Sequence, residues 1–341
     1  MPAVPDDLMQ LYIESRHLQQ NSRKYNNSFS MSAIGTTGSF VLHKAPCNLI
    51  LTGKTYHRML PGSDQSGPLR WFLNDQDYSA QQVSQFQMDK ELLDNLKSKF
   101  MQHNPLFRQF KLLADQPSEE ARLEISILDT REIAAVIVPN RIGGVKKRAI
   151  VCWKTTEQQA TFIDVTSPLF LPLHYVLVCP QGTPGWSPYL EIGGRKISML
   201  LFYRQLVLRC STLHLFGRLF NEFCVDIFSA IEENRLNWIR YNQSKILRKE
   251  DLSDFNEVGR VFLPSSFVGS YRHKQKMIAD ALAIVSRLKN PTFFVTFTCN
   301  PNWPEIQEML RTGQNYSDRP DVINMVFKAK LQKFQASFQS I

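Results

Sequence analysis

Cys210 and His214 stand four residues apart, a spacing that puts both on one face of a helix and suits two zinc ligands. A structural zinc site takes four ligands, and Cys224 is the one further candidate nearby, so a buried helix face explains the pair better. Gly53-Lys54-Thr55 resembles the end of a phosphate-binding loop, but the glycine required five positions earlier is Asn48. The backbone cradle for phosphate is then missing, and an ordinary turn after a strand is expected. His17, His43, His57, His103, His174, His214 and His273 contain no H-x-H or H-x-x-x-H pair, and G-x-S-x-G is absent. No catalytic residue and no metal ligand is assigned.

Binding chemistry is better represented. Lys and Arg number 40 against 31 Asp and Glu, a formal +9 that favours polyanionic partners. Thr292–Thr298 (TFFVTFT) reads as a strand, with Phe293, Val295 and Phe297 on one face and Thr292, Phe294, Thr296 and Thr298 on the other. The second face mixes hydroxyls with an aromatic ring, which suits phosphate contact and base stacking. Asn300 and Trp303 follow it, and Arg272, Lys274 and Lys276 precede it closely. The candidate DNA-binding set is therefore Arg272, Lys274, Lys276, Phe294, Thr296, Thr298, Asn300 and Trp303. The bland readings are a well-formed strand with Phe294 in a core, and a tryptophan that packs at a helix start. Lys146-Lys147-Arg148 with Arg141 marks a second basic turn, which a solvated surface explains equally well.

These residues need elements to hold them, and the pattern predicts an α+β chain. Residues 1–35 are polar, with a helical stretch over Asp6–Gln20. A β-rich module is expected over 36–190. It holds the runs SFVLH, NLILT, ARLEISIL, IAAVIV, RAIVCW, ATFIDV and YVLVC, plus an amphipathic helix over 82–101 with Leu92, Leu93, Leu96 and Phe100 on one side. Residues 197–250 read as helical, with Leu219, Phe223, Ile227 and Ile231 four apart and Gly217 as a break. Asp251–Gly259 looks like a linker. In 261–341, Ser270 caps a helix to Lys289, a second runs from Trp303-Pro304 to Gly313, and a third starts at Pro320 after a capping Asp318.

No run approaches the ~18 consecutive apolar residues of a membrane helix, and the N-terminus MPAVPDDLMQ lacks a signal-peptide pattern. Six scattered cysteines suit a reducing compartment. A soluble intracellular protein with no membrane partner is expected.

The segment LPSSFVGSYRHKQKMIADALAIVSRLKNPTFFVTFTCNPNWPEI closely resembles the Helitron helicase-like N-terminal domain of Helitron transposases. The shared features are a PSSF-x-GS loop, a DA-x-AIV helix and an F-x-TFTCNP-x-WPEI stretch. Asp318-Arg319-Pro320-Asp321 with VFKAKL, IEENRLNWIRYNQSK, PLFLPLHYVLVCPQGTPGW, TYHRMLP and RKYNNSFSMSAIG are similar to further blocks of that family.

The resemblance implies a domain over 197–341, helical at 197–250 and a partial Rep-type (HUH) β-α fold at 261–341. It also implies a nuclear protein of rolling-circle transposition. The complete family protein would carry an HUH endonuclease with a divalent metal and an ATP-dependent helicase. Neither the paired histidines, the nucleophilic tyrosines, the helicase phosphate loop nor the zinc-finger-like cysteines occur here, so this chain is expected to be a DNA-binding part without enzymatic activity or cofactor. Single-stranded DNA is the expected partner, together with a missing nuclease/helicase region and self-association through an open sheet edge. The alternative is a host-adopted protein–protein interaction module.

Overall fold

The N-terminal segment is more helical than its polarity suggests. In the computed structural model, α1 (Asp6–Glu14), α2 (Arg16–Gln20) and α3 (Ser22–Phe29) replace the single expected helix. The break comes at Ser15, whose hydroxyl accepts a hydrogen bond from Leu18 N at 3.2 Å and so caps α2. The structure describes residues 3–36, 40–42, 49–51, 55–59, 88–109, 122–125, 133–142, 145–154, 162–246, 261–293 and 295–339.

Four short strands, β1 (Ser32–Thr36), β2 (Phe40–Leu42), β3 (Leu49–Leu51) and β4 (Thr55–Met59), come next. β1 pairs antiparallel with β4, and β2 with β3. The Gly53-Lys54 turn lies outside the described residues. α4 (Lys90–His103) begins later than the expected 82–101, because Asp89 caps it by accepting Leu92 N at 3.2 Å; residues 82–87 are outside the described set. Its Leu92, Leu93, Leu96 and Phe100 are buried, as their spacing predicts.

β5 (Arg122–Ile125), β6 (Ile133–Ile142) and β7 (Val145–Lys154) pair in that order, all antiparallel, and Arg141 stands opposite Lys146 in the β6–β7 register. β8 (Phe162–Ile163) adds to β4. The chain thus mixes helix and strand, with helix predominating.

The YVLVC run is not a strand. Tyr175, Val176, Leu177, Val178 and Cys179 follow the short helix α5 (Phe170–His174) in turns, all at most 1% exposed. A strand needs a partner for its backbone, but here turns and one side chain supply it. Tyr175 N donates to Leu171 O and Cys179 N to Tyr175 O. Asn26 donates through Nδ2 to His174 O at 2.8 Å and accepts Leu177 N on Oδ1 at 3.3 Å.

The expected 197–250 helix is divided. After the small hairpin β9 (Glu191–Ile192) and β10 (Arg195–Lys196), α6 (Met199–Arg209) ends at Cys210 and a 3-10 turn covers Leu213–Leu215. α7 (Gly217–Tyr241) then runs for 25 residues, starting at the glycine that marked the break, and α8 (Gln243–Ile246) follows. The linker at Asp251–Gly259 lies outside the described residues. α9 (Tyr271–Leu288), α10 (Pro304–Met309) and α11 (Pro320–Gln339) complete the chain, α10 ending short of Gly313.

Contacts divide the chain into two units, residues 1–231 with 304–326, and residues 232–303 with 327–341. The first holds one continuous core. Tyr12, Phe29, Phe100, Phe107, Phe170, Tyr175, Phe216, Phe220 and Phe223 are each at most 1% exposed within it. Burying such side chains is worth ~1.5–3 kcal/mol each, so this cluster dominates the unit's stability.

Candidate nucleic-acid interface

Most of the chain's net charge lies in the second unit. Residues 232–303 and 327–341 hold 14 Lys and Arg against 7 Asp and Glu, a formal +7 out of the whole chain's +9. Concentration of one sign on a small unit raises the local potential and the encounter rate with a polyanion.

α9 carries the first group of sequence-selected residues. Ser270 caps it as expected, its hydroxyl accepting His273 N at 3.0 Å. At 3.6 residues per turn, Arg272 and Lys276 share a face with Arg287, whereas Lys274 falls on the opposite side, among Met277, Ile278, Val285 and Leu288. The three basic residues therefore do not form one patch. Arg272 is half-buried, its guanidinium 5.5 Å above the Phe262 ring and its NH1 3.4 Å from Ile246 O. Lys274 and Lys276 are exposed.

No residue of α9 is buried. Met277, Ile278, Leu282, Ile284 and Leu288 are 59–73% exposed.

The second group lies on residues 291–303, where the structure departs from expectation. The described residues of 292–298 form no strand. Strands are held by ladder hydrogen bonds, and none of the sheets formed by the described residues includes this segment. The expected two-face alternation is lost with the strand. Phe293 and Val295 are 84% and 61% exposed, while Phe297 is half-buried. The self-association expected through this strand's edge has no strand to rest on. Thr296 and Thr298 are exposed, and Phe294 lies outside the described residues. Asn300 builds the turn into α10, its Oδ1 accepting Asn302 N at 2.9 Å and its O accepting Trp303 N at 3.2 Å.

Trp303 is half-buried beside Phe297, with ring centroids 6.0 Å apart, and Lys330 Nζ lies 5.0 Å from its ring centre. Phe297 also stacks on Phe327 at 5.6 Å and on Phe334 at 5.0 Å. Phe327, Lys330 and Phe334 are not among the sequence-selected residues. Their i, i+3, i+7 spacing on α11 is plain in the sequence, but the partner that makes them a group, Phe297, comes from a distant loop.

Asp318-Arg319-Pro320-Asp321 has a structural account within the first unit. Asp318 accepts Asn315 N at 2.9 Å, closing a capping box on the 3-10 turn Tyr316–Asp318 and not on α11. It sits so near Gly217 that a Cβ there would fall 2.5 Å from its Oδ1, so the start of α7 requires glycine. Arg319 forks onto Asp321 with bonds of 2.9 and 2.8 Å, both side chains about nine-tenths buried.

His214 spends its Nε2 proton on Val207 O at 2.7 Å, with Asp321 Oδ2 at 3.6 Å. Burial, reinforced by the Asp321 charge, pushes the Cys224 thiol up to about 12, and burial also raises Cys210. Among the described residues no group of three or more His, Cys, Asp and Glu is placed to hold a metal. None of the helices among them is long and apolar enough to cross a membrane.

No curated protein and no solved structure matches this chain. A family model does match over residues 197–339, that of the Helitron helicase-like domain at N-terminus, and this part of the chain is similar to that domain.

Proposed function

We propose that this chain binds single-stranded DNA through its second unit, as the DNA-holding part of a Helitron-type rolling-circle transposase in the nucleus. The observation that carries the reading is the charge distribution, with +7 of the formal +9 on 87 residues. Lys276 and Arg287 supply phosphate contacts from one face of α9, and residues 295–303, with Trp303 at their end, lie within the same unit. Nicking and unwinding are not assigned to it, since its sequence holds neither paired histidines nor a phosphate-binding loop. Each phosphate neutralised on a single strand contributes about −0.7 to the slope of log affinity against log salt. Replacing Lys276 and Arg287 together with Ala should weaken binding to oligothymidylate and flatten that slope by about 1.4. An unchanged slope would remove α9 from the interface.

The exposed apolar side of α9 favours a second reading, a protein-interaction module. Soluble monomers rarely leave such a face uncovered. Its binding would vary little with salt, in contrast to phosphate contact.

A further inference from the structure

The aromatic rings of the two units are arranged in different ways. In the first unit, Tyr12–Phe216, Phe29–Phe100 and Tyr175–Phe223 meet at interplanar angles of 75–76°, the edge-to-face packing of enclosed cores. In the second, Phe297 lies within 17–28° of parallel to Trp303, Phe327 and Phe334. All four rings are only half-buried. Phe297 is thus engaged by its neighbours, and the π-faces left for a nucleic-acid base to stack on are those of Trp303 and Phe334 turned away from it.

Charge frames the ladder. Residues 327–341 contain Lys328, Lys330 and Lys333 and no Asp or Glu. Around α11, Lys330 and Lys333 lie about 60° and 120° to one side of Phe327, Phe334 lies between Phe327 and Lys330, and Lys328 lies about 100° to the other side. Cations thus flank the aromatic stripe, as phosphates would require if bases occupied the rings. Lys330 already rests over Trp303, an attraction worth about 0.5–1 kcal/mol at an exposed site and small enough for a stacking base to replace.

We propose that Trp303 and Phe334, backed by Phe297, form a stacking site for unpaired DNA bases, with Lys330 and Lys333 holding the adjoining phosphates. A base that takes the Trp303 face frees the Lys330 ammonium for the backbone. Paired bases cannot use the site, because their faces are already stacked within the duplex. The inference rests on the DNA-binding reading above and adds to it a site, the class of group bound and selectivity for single strands.

The test compares the full chain's affinity for oligothymidylate, an abasic strand of equal length and a duplex, across a salt series. The wild type should hold oligothymidylate on the order of 10-fold or more tighter than the abasic strand, a difference that phosphate contact alone cannot produce. Trp303→Leu and Phe334→Leu should each lose about 10-fold on oligothymidylate, leave duplex binding within about twofold and keep the salt slope. Trp303→Phe and Phe334→Tyr, which retain a ring, should keep most of the affinity. Lys330→Met should flatten the slope by about 0.7. Equal affinity for the abasic and thymidylate strands would overturn the stacking site while leaving backbone binding intact, as would equal losses on single strand and duplex. The absence of any salt-sensitive binding to oligothymidylate would overturn the DNA reading and this site together. The abasic comparison uses only the wild type, so it stays decisive even where a variant fails to fold.

Discussion

Phe220 and Leu282 are both large apolar side chains on long helices, yet Phe220 is 0% exposed and Leu282 is 64% exposed. The contrast extends to the units they represent. Residues 1–231 with 304–326 enclose dozens of apolar side chains in one cluster, with only +2 of the net charge. Among the described residues of the second unit, Ile239 is the one buried hydrophobic side chain. A unit with little enclosed apolar surface cannot offset its ordering entropy as the first can. It is the part whose stability should respond to whatever it binds, since a ligand that binds only the ordered state stabilises it.

The sharpest test of this difference is truncation in each unit. Phe223→Ala removes a fully buried ring and should cost about 3–5 kcal/mol in denaturant unfolding. Leu282→Ala should stay within about 0.5 kcal/mol. Comparable losses at both positions would mean that α9 is covered in solution and that the contrast is false.

Breaking the Arg319–Asp321 fork is next in size. Arg319→Met leaves a largely buried carboxylate without its partner, and a loss of about 2–3 kcal/mol is expected, toward the low end for buried pairs because Asp321 retains some solvent contact. The pair also gives the first unit an acid dependence. Burial alone would raise the Asp321 carboxyl, but the Arg319 fork outweighs it and holds the group below its ordinary 3.8. A carboxyl depressed in the folded state contributes stability that is present above its unfolded value and lost as the pH falls through the folded one. Stability should therefore drop below about pH 4, and Asp321→Asn should make that acid limb shallower. An identical limb in the variant would assign the acid sensitivity to other groups.

Asn26→Ala should cost about 1–2 kcal/mol, because it removes the two side-chain bonds to His174 O and Leu177 N inside the core. Restoration of the wild-type melting temperature by Asn26→Ser would show that a hydroxyl can serve both groups. The smallest effect is expected at the surface of the same unit, where Lys99 Nζ meets Asp7 Oδ2 at 2.7 Å. Lys99→Met should cost well under 1 kcal/mol and less in high salt. A larger loss would show that the first unit draws on surface ion pairs as well as its core.

The helices and their core faces were legible in the sequence wherever spacing and caps agreed. Leu92, Leu93, Leu96 and Phe100 on α4, the four-residue stripe from Leu219 to Ile231 on α7, and the Ser270 cap of α9 are local features set by 3.6-residue periodicity and by one side chain reaching three residues ahead. The Helitron likeness was legible too, because it resides in short blocks of residue identity.

Two runs with the composition of strands differ from that expectation: YVLVC is not a strand, and the described residues of TFFVTFT form none. Apolar β-branched and aromatic residues state a preference for burial, but ladder partners come from elsewhere in the chain. For YVLVC the deciding partner is Asn26, about 150 residues away, which pairs with the backbone in place of a neighbouring strand. For TFFVTFT no partner strand lies among the described residues, and the alternation that sorts Phe297 with Phe293 gives way to stacking against Phe327 and Phe334. The basic residues of α9 show the same division. The sequence determined that three cations lie within five positions; the helix decided that Lys274 faces away from Arg272 and Lys276, since a step of two residues turns about 200° around the axis.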